Sequence, residues 1–344
     1  MAGPSPLLNQ PVTQWTASGI GAMSTADWLA VSDEQMAQLS SSQLAAIQPA
    51  DWKVITPEQL SYVDPTAIPG LGAKGMQVFS SSQFGTLSPD QLGFLGTQAL
   101  RAMTSQQAPA INHATMDALS STQQQAIGNG AIGAIPTSTL ADLGADHFQN
   151  LSSSQWTAIT TAQLGVLSAD DIAALSTGAA HAFTAAQIAS LQPTQEQALG
   201  SDQLATWSAA QLSTLNSQQF ALLSADQIAG LSTTEISALG TSQLSSLSTS
   251  QVRAFVASEI AVLADTQLAA LSTTQFAALT QTSLAGLGPT ALSQLGATQL
   301  SALSAAQFSG LSASALWERF RTWRFWFIYR RWRGKMIHCP EPSP

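Results

Sequence analysis

An all-α solenoid, with one short capped helix for every eight residues, is the architecture this 344-residue chain predicts. Three observations carry that prediction. They are an unbroken eight-residue hydrophobic register, a helix-cap signature at a fixed place in each octad, and the placing of proline and acid. The stretch "DTQLAALSTTQFAALT" (265–280) shows the register in two copies. Stepping by eight from Leu279 in both directions gives 38 positions between Trp15 and Leu311, and every one is large and apolar. We call this position 7. Position 4, three residues earlier, has 39 members from Val12 to Leu316, of which only Gln124 and Glu196 are polar.

A continuous helix cannot use this period. Eight residues at 3.6 per turn advance two turns plus roughly 80°, so an apolar stripe would spiral around the helix. The chain must change direction once per octad. A β-solenoid could also do so, and it is the alternative architecture. The remaining two observations favour helices. The residue after position 7 is Ser, Thr, Asp, Asn or Gly in 33 of 38 octads, and the residue three further on (position 3) is Gln in 21 of 37. Ser-x-x-Gln is the capping box, in which the cap hydroxyl and the N3 side chain exchange hydrogen bonds with each other's backbone N–H. Positions 7 and 4 then form the hydrophobic staple around each cap. Pro49, Pro57, Pro65, Pro89, Pro193 and Pro289 all directly follow the cap, where proline's missing N–H costs nothing. Fifteen of the eighteen acidic residues before Leu316 lie at the cap or in the first turn, where the helix dipole favours them.

Each octad therefore predicts a capped helix of six or seven residues, too short to survive alone and obliged to stack on its neighbours. Small residues at positions 5 and 6 suit close stacking. The organisation read from the register is an N-terminal lead-in (1–11), an octapeptide array (12–316) and an Arg/Trp-rich tail (317–344).

Octads such as "STTQFAAL" (272–279) and "SADQIAGL" (224–231) resemble the Leu/Gln/Ser/Thr-rich short repeats of some large bacterial repeat proteins. The resemblance spans about 300 residues. It implies a bacterial origin and an extended, exported scaffold, and it brings no catalytic residues with it.

Charge narrows the function classes. Before Leu316 there are four basic and eighteen acidic residues, so the array lacks the basic stripe that nucleic acid requires. The single cysteine, Cys339, excludes an intrachain disulfide. The start, "MAGPSPLLNQPVTQW", has no conventional secretory signal, so unconventional export and a cytoplasmic location both fit. Neither a phosphate-binding G-x-x-x-x-G-K nor a G-x-S-x-G or H-E-x-x-H motif occurs. No enzyme activity, cofactor or metal is expected.

Gln124 and Glu196, polar at position 4, mark irregularities where a groove could open. For Glu196, drift with the carboxylate turned to solvent is the expected explanation. His113, His147 and His181 are far apart in sequence, so no shared metal site is expected. Asp170 and Asp171 fall in a first helical turn, as dipole-stabilising acids. Trp15, Trp28, Trp52, Trp156 and Trp207 occupy positions 4 or 7 and are expected in the core.

The tail breaks the register with Arg319 at a position 7. Its Arg319, Arg321, Trp323, Arg324, Trp326, Arg330, Arg331, Trp332 and Arg333 interleave cations and aromatics, as membrane-surface or nucleic-acid contacts do. So abrupt a change of composition is also what translation in a shifted reading frame would produce. The function expected is a non-enzymatic interaction scaffold, an exported surface or host-directed protein, presenting an acidic, hydroxyl-rich face to a protein or carbohydrate partner. The alternative is targeting of membrane or nucleic acid by the tail, with the array as spacer. Ice binding by Ser/Thr ladders is a minor alternative.

Overall fold

The computed structural model describes residues 5–311, and the tail candidates from Arg319 to Arg333 lie outside them. Every regular element among the described residues is helical, which excludes the β-solenoid. None of these helices is long and apolar enough to cross a membrane. The chain divides at Phe183 and Thr184 into two compact units. Each is an α-solenoid in its own right.

The α-helices run four to six residues, shorter than the octad alone suggests. The N–H of position 7 reaches back to the carbonyl of position 4, as in Leu279 to Phe276 at 3.3 Å and Leu247 to Leu244 at 3.3 Å. That tighter i to i−3 closure ends the helix early, and the backbone leaves in extended conformation (Leu279 φ −57°, ψ 140°) to begin the next cap. Pro65–Leu71 departs from the pattern as a 3₁₀ helix, followed by Gly72 at φ 57°, a left-handed conformation suited to glycine.

Helices three octads apart pack together. In the first unit Thr25–Ala30 lies against Pro49–Trp52, and Asn129–Ile132 against Ser153–Ala158. In the second, Ser217–Leu222 lies against Thr241–Ser246, and Thr233–Ser237 against Ala257–Val262. One solenoid turn is therefore 24 residues and three helices. Positions 4 and 7 fill the interior, including Trp15, Trp28, Trp52, Trp156 and Trp207, all buried.

The buried interior also contains a file of glutamines. Gln59 shows what the position-3 side chain does. Its Oε1 accepts from the cap N–H of Thr56 at 2.9 Å, which completes the capping box. Its Nε2 donates to the carbonyls of Trp28 at 3.0 Å and Val31 at 2.9 Å, the end of a helix at the corner one turn earlier. Gln155 repeats the arrangement with Gln124 O (2.8 Å) and Ile127 O (2.9 Å). In the second unit Gln275 repeats it with Leu244 O (2.9 Å) and Leu247 O (2.7 Å). Each of these glutamines thus caps its own helix and donates to the last carbonyls of another, the position-4 carbonyl that also accepts from position 7 and the position-7 carbonyl that follows it. We call this pair of bonds a rung.

Small residues allow the turns to approach. A Cβ on Gly286 would lie 1.9 Å from Ala257 O, and one on Gly70 would lie 2.0 Å from Ser41 O. The cap glycine Gly288 has open space instead. Substituting Gly286→Ala should cost about 1–3 kcal/mol by overpacking, whereas Gly288→Ser should be neutral or slightly stabilising. Urea unfolding followed by circular dichroism checks both, and equal effects would refute the stacking.

The rung predicts a second ordering. Ser272→Ala removes a cap and should cost about 1 kcal/mol. Gln275→Ala strands the cap N–H and the Leu247 carbonyl in a buried place and takes the second donor from Leu244 O, and should cost at least about 2–3 kcal/mol. Finding the serine more costly than the glutamine would show that capping, not the rung, dominates.

Candidate functional site

The sites worth attention are those where a rung is missing. At His147 the position-3 residue of helix Ala145–Asn150 is an imidazole, buried but unable to imitate a glutamine. The carbonyls it leaves, Met116 O and Leu119 O, are taken by Gln124, whose Nε2 donates to them at 2.7 and 3.0 Å. Gln124 is therefore no groove. It is a buried substitute for the missing rung, placed at an otherwise apolar position because that position faces the same corner. Its Oε1 has no hydrogen-bond partner among the described residues, which is the cost of the repair.

His147 is thereby left to other contacts. Its Nε2 lies 3.2 Å from His113 Nδ1 and 3.3 Å from Asp117 Oδ1. His113 and Asp117 sit four residues apart on helix His113–Ala118, with His113 Nε2 3.3 Å from Asp117 Oδ2. The two imidazole rings meet edge to face at 5.0 Å between centroids. Burial pulls the His147 pKa below the usual histidine range, and the negative charge of Asp117 opposes that shift. Inside this cluster the core is apolar, with Met116, Phe148 and Ile159 lining a small cavity beside His147. His113 and Asp117 face solvent, at 59% and 56% side-chain exposure.

The expectation that the histidines stay apart fails for this pair. Residues 34 apart are distant along a rod, but a 24-residue turn brings octads four apart to a shared corner. His181 is exposed on a later octad and does not belong to the cluster. The period was legible in the sequence; the number of octads per turn was not.

Glu196 is the second irregularity, and its carboxylate is not turned to solvent. It is 1% exposed, with Oε1 accepting from Gln219 Nε2 at 2.5 Å. That contact draws Gln219 off its rung, leaving Ile188 O at 3.4 Å. Glu196 Oε2 has no hydrogen-bond partner among the described residues. Burial raises the pKa, partly offset by the bond from Gln219. Asp170 and Asp171 behave as expected of first-turn acids. Asp171 accepts from the cap N–H of Ser168 at 2.8 Å, and Asp170 is exposed.

A raised carboxyl pKa means that the folded state holds a proton that the unfolded chain would release. Stability from this group is full below the ordinary glutamate value, roughly pH 4.3, and is lost as pH rises through the folded value. Glu196→Gln should therefore stabilise the chain by about 1–3 kcal/mol at pH 7, the cost of one unpaired buried polar group. The advantage should shrink on acidification towards pH 4. Parallel urea melts of wild type and variant at several pH values test this, and a pH-independent difference would remove ionisation from the explanation.

No family model, curated protein or solved structure matches the chain. The sites described here thus stand on their own geometry.

Proposed function

We propose that this chain is a non-enzymatic interaction scaffold whose outer rows of carboxylates and hydroxyls meet a protein partner through a basic surface on that partner. The observation that carries the reading is the stacking of exposed acids at one-turn spacing. Glu34 and Glu58 stand at the same octad position on helices Asp33–Ala37 and Pro57–Ser61, which pack on each other. Asp202 and Asp226 repeat the arrangement on Ser201–Leu204 and Ala225–Ala229. All four are exposed, and the whole sequence before Leu316 has only four lysines and arginines to answer them. Rows of like charge at a regular spacing favour a partner with matching cations, and exposed Ser and Thr beside them add hydrogen-bonding capacity.

Carbohydrate remains a partner class within the same reading, since hydroxyl and carboxylate rows also suit polar ligands. An exported, surface-displayed or host-directed role is part of the proposal, and the regular, acidic repeat is consistent with it.

The test is binding of the full chain to immobilised lysine-rich and glutamate-rich peptides and to a glycan panel, in low and high salt. Selective, salt-sensitive capture of the lysine-rich peptide is expected. It should be weakened severalfold by combining Glu34→Gln, Glu58→Gln, Asp202→Asn and Asp226→Asn. Binding to anionic vesicles or DNA instead, lost on deleting residues 317–344, would move the function to the tail. Glycan capture insensitive to the four substitutions would replace the protein partner with a carbohydrate.

A further inference from the structure

We infer that His113, Asp117 and His147 form a binding site for a divalent transition metal of the zinc class. The argument begins with the spacing of the donors. Zinc binds histidine nitrogen at about 2.0–2.1 Å with tetrahedral geometry, so adjacent ligand atoms stand about 3.3 Å apart. His147 Nε2 is 3.2 Å from His113 Nδ1 and 3.3 Å from Asp117 Oδ1. One ligand atom from each of the three residues lies within 4.8 Å of the others. His113 and Asp117 are exposed side chains that can rotate to close the third edge, while His147 is held in place by burial.

The donor chemistry agrees. Two imidazoles and one carboxylate are borderline ligands suited to zinc and its neighbours, and three protein ligands with a fourth position open to water is a common zinc arrangement. A hydrogen-bonding account is less complete. His147 Nε2 carries at most one proton, yet it faces both a histidine nitrogen and a carboxylate oxygen. A cation satisfies all three at once.

The local sequence adds an independent reason. At many other corners, those of Gln59, Gln155 and Gln275 among them, a glutamine rung joins one turn to the next. Here the rung is absent, and Gln124 repairs only the carbonyl half. Helix Ala145–Asn150 has no side-chain bond to its cap Gly144. A metal held by His147 from this helix and by His113 and Asp117 from helix His113–Ala118 would join the same two layers. It is a metallic rung in place of an amide one. The ligand positions also leave the metal's open side towards solvent, where a water or a partner's side chain completes the shell.

The experiment compares metal uptake by the full chain and three variants after chelator treatment. His113→Ala and Asp117→Asn alter only exposed groups. His147→Gln places an acceptor within reach of the Gly144 cap N–H while Gln124 keeps the carbonyls, so it should fold like wild type, as circular dichroism checks, while losing the ligand. Because His181, His338 and Cys339 could also bind metal, the readout is the difference between wild type and variants. Wild type should bind one more zinc ion than each variant by calorimetry, or bind it at least about tenfold more tightly. Its thermal midpoint should rise with zinc, and that of His147→Gln should not. With cobalt(II) alone as probe, wild type should show the strong visible bands of a four-coordinate nitrogen/oxygen site, and all three variants should lose them. Equal zinc binding in wild type and variants, or only the weak bands of hydrated cobalt, would overturn the inference. Bands with thiolate character that persist in the variants would assign the ion to Cys339 and overturn it equally.

Discussion

The structure depends on one side chain doing two things at once. A glutamine at the third helical position accepts from the N–H of its own cap and donates to two carbonyls at the corner one turn earlier. Short helices carry an unusual burden of unpaired backbone groups, since the first N–H and last C=O groups of any helix have no partner within it. In helices of four to six residues nearly every backbone group is terminal. Stacking such helices into a buried core is tolerable only if something satisfies both ends, because each buried unpaired group costs about 1–3 kcal/mol. The primary amide is the side chain with an acceptor and two donors on one planar group. It meets the whole demand without a formal charge.

Substitutions at position 3 show how much of that work each residue type can do. Ser283 keeps one of the carbonyls, donating from Oγ to Phe255 O at 2.7 Å, while its own cap is held by Thr280. Glu259 keeps the cap bond, from Val256 N at 2.8 Å, but has no donor for the carbonyls, and its burial raises its pKa. His147 supplies neither half, and Gln124 is recruited to supply one. In the second unit Glu196 occupies the position equivalent to Gln124 beside an intact Gln219, and it competes for the rung donor. The two polar exceptions at position 4 are thus related through the ladder. One repairs a break; the other causes a partial one.

The octad, the caps and the buried faces were legible in the sequence because each follows from local chemistry repeated many times. Among the described residues, position 7 and position 4 side chains are buried as read, and Ser–Gln capping boxes form as read. The rung was not read, although a signal for it was present. A capping box accepts glutamate as readily as glutamine, yet position 3 has 21 glutamines and only two glutamates, Glu235 and Glu259. Capping does not explain that preference. The need for a donor does. What remained hidden was the turn of three octads, because no residue within one octad encodes how many octads close a circuit. For that reason the meeting of His113 and His147 could not be read from spacing, and Glu196 was expected at the surface when it is buried.

The ladder also explains how a solenoid of this kind can depart from its pattern at single corners. Each rung joins only octads within about one turn of each other, so the unit's stability is a sum of local interfaces, as in other repeat arrays. A lost rung weakens its own corner and leaves distant corners intact. The array can therefore carry an imperfect corner provided that the corner keeps its backbone carbonyls paired, as Gln124 ensures beside His147. The exposed caps and first-turn positions are freer still, because they contribute little to the interior and can vary in charge and hydroxyl content. Function in such a chain is expected in those two places, on the outer rows and at the rungs that glutamine does not fill. The acid rows and the His113–Asp117–His147 corner are the respective candidates. They depend on the same rule, that a 24-residue turn places octad upon octad in register.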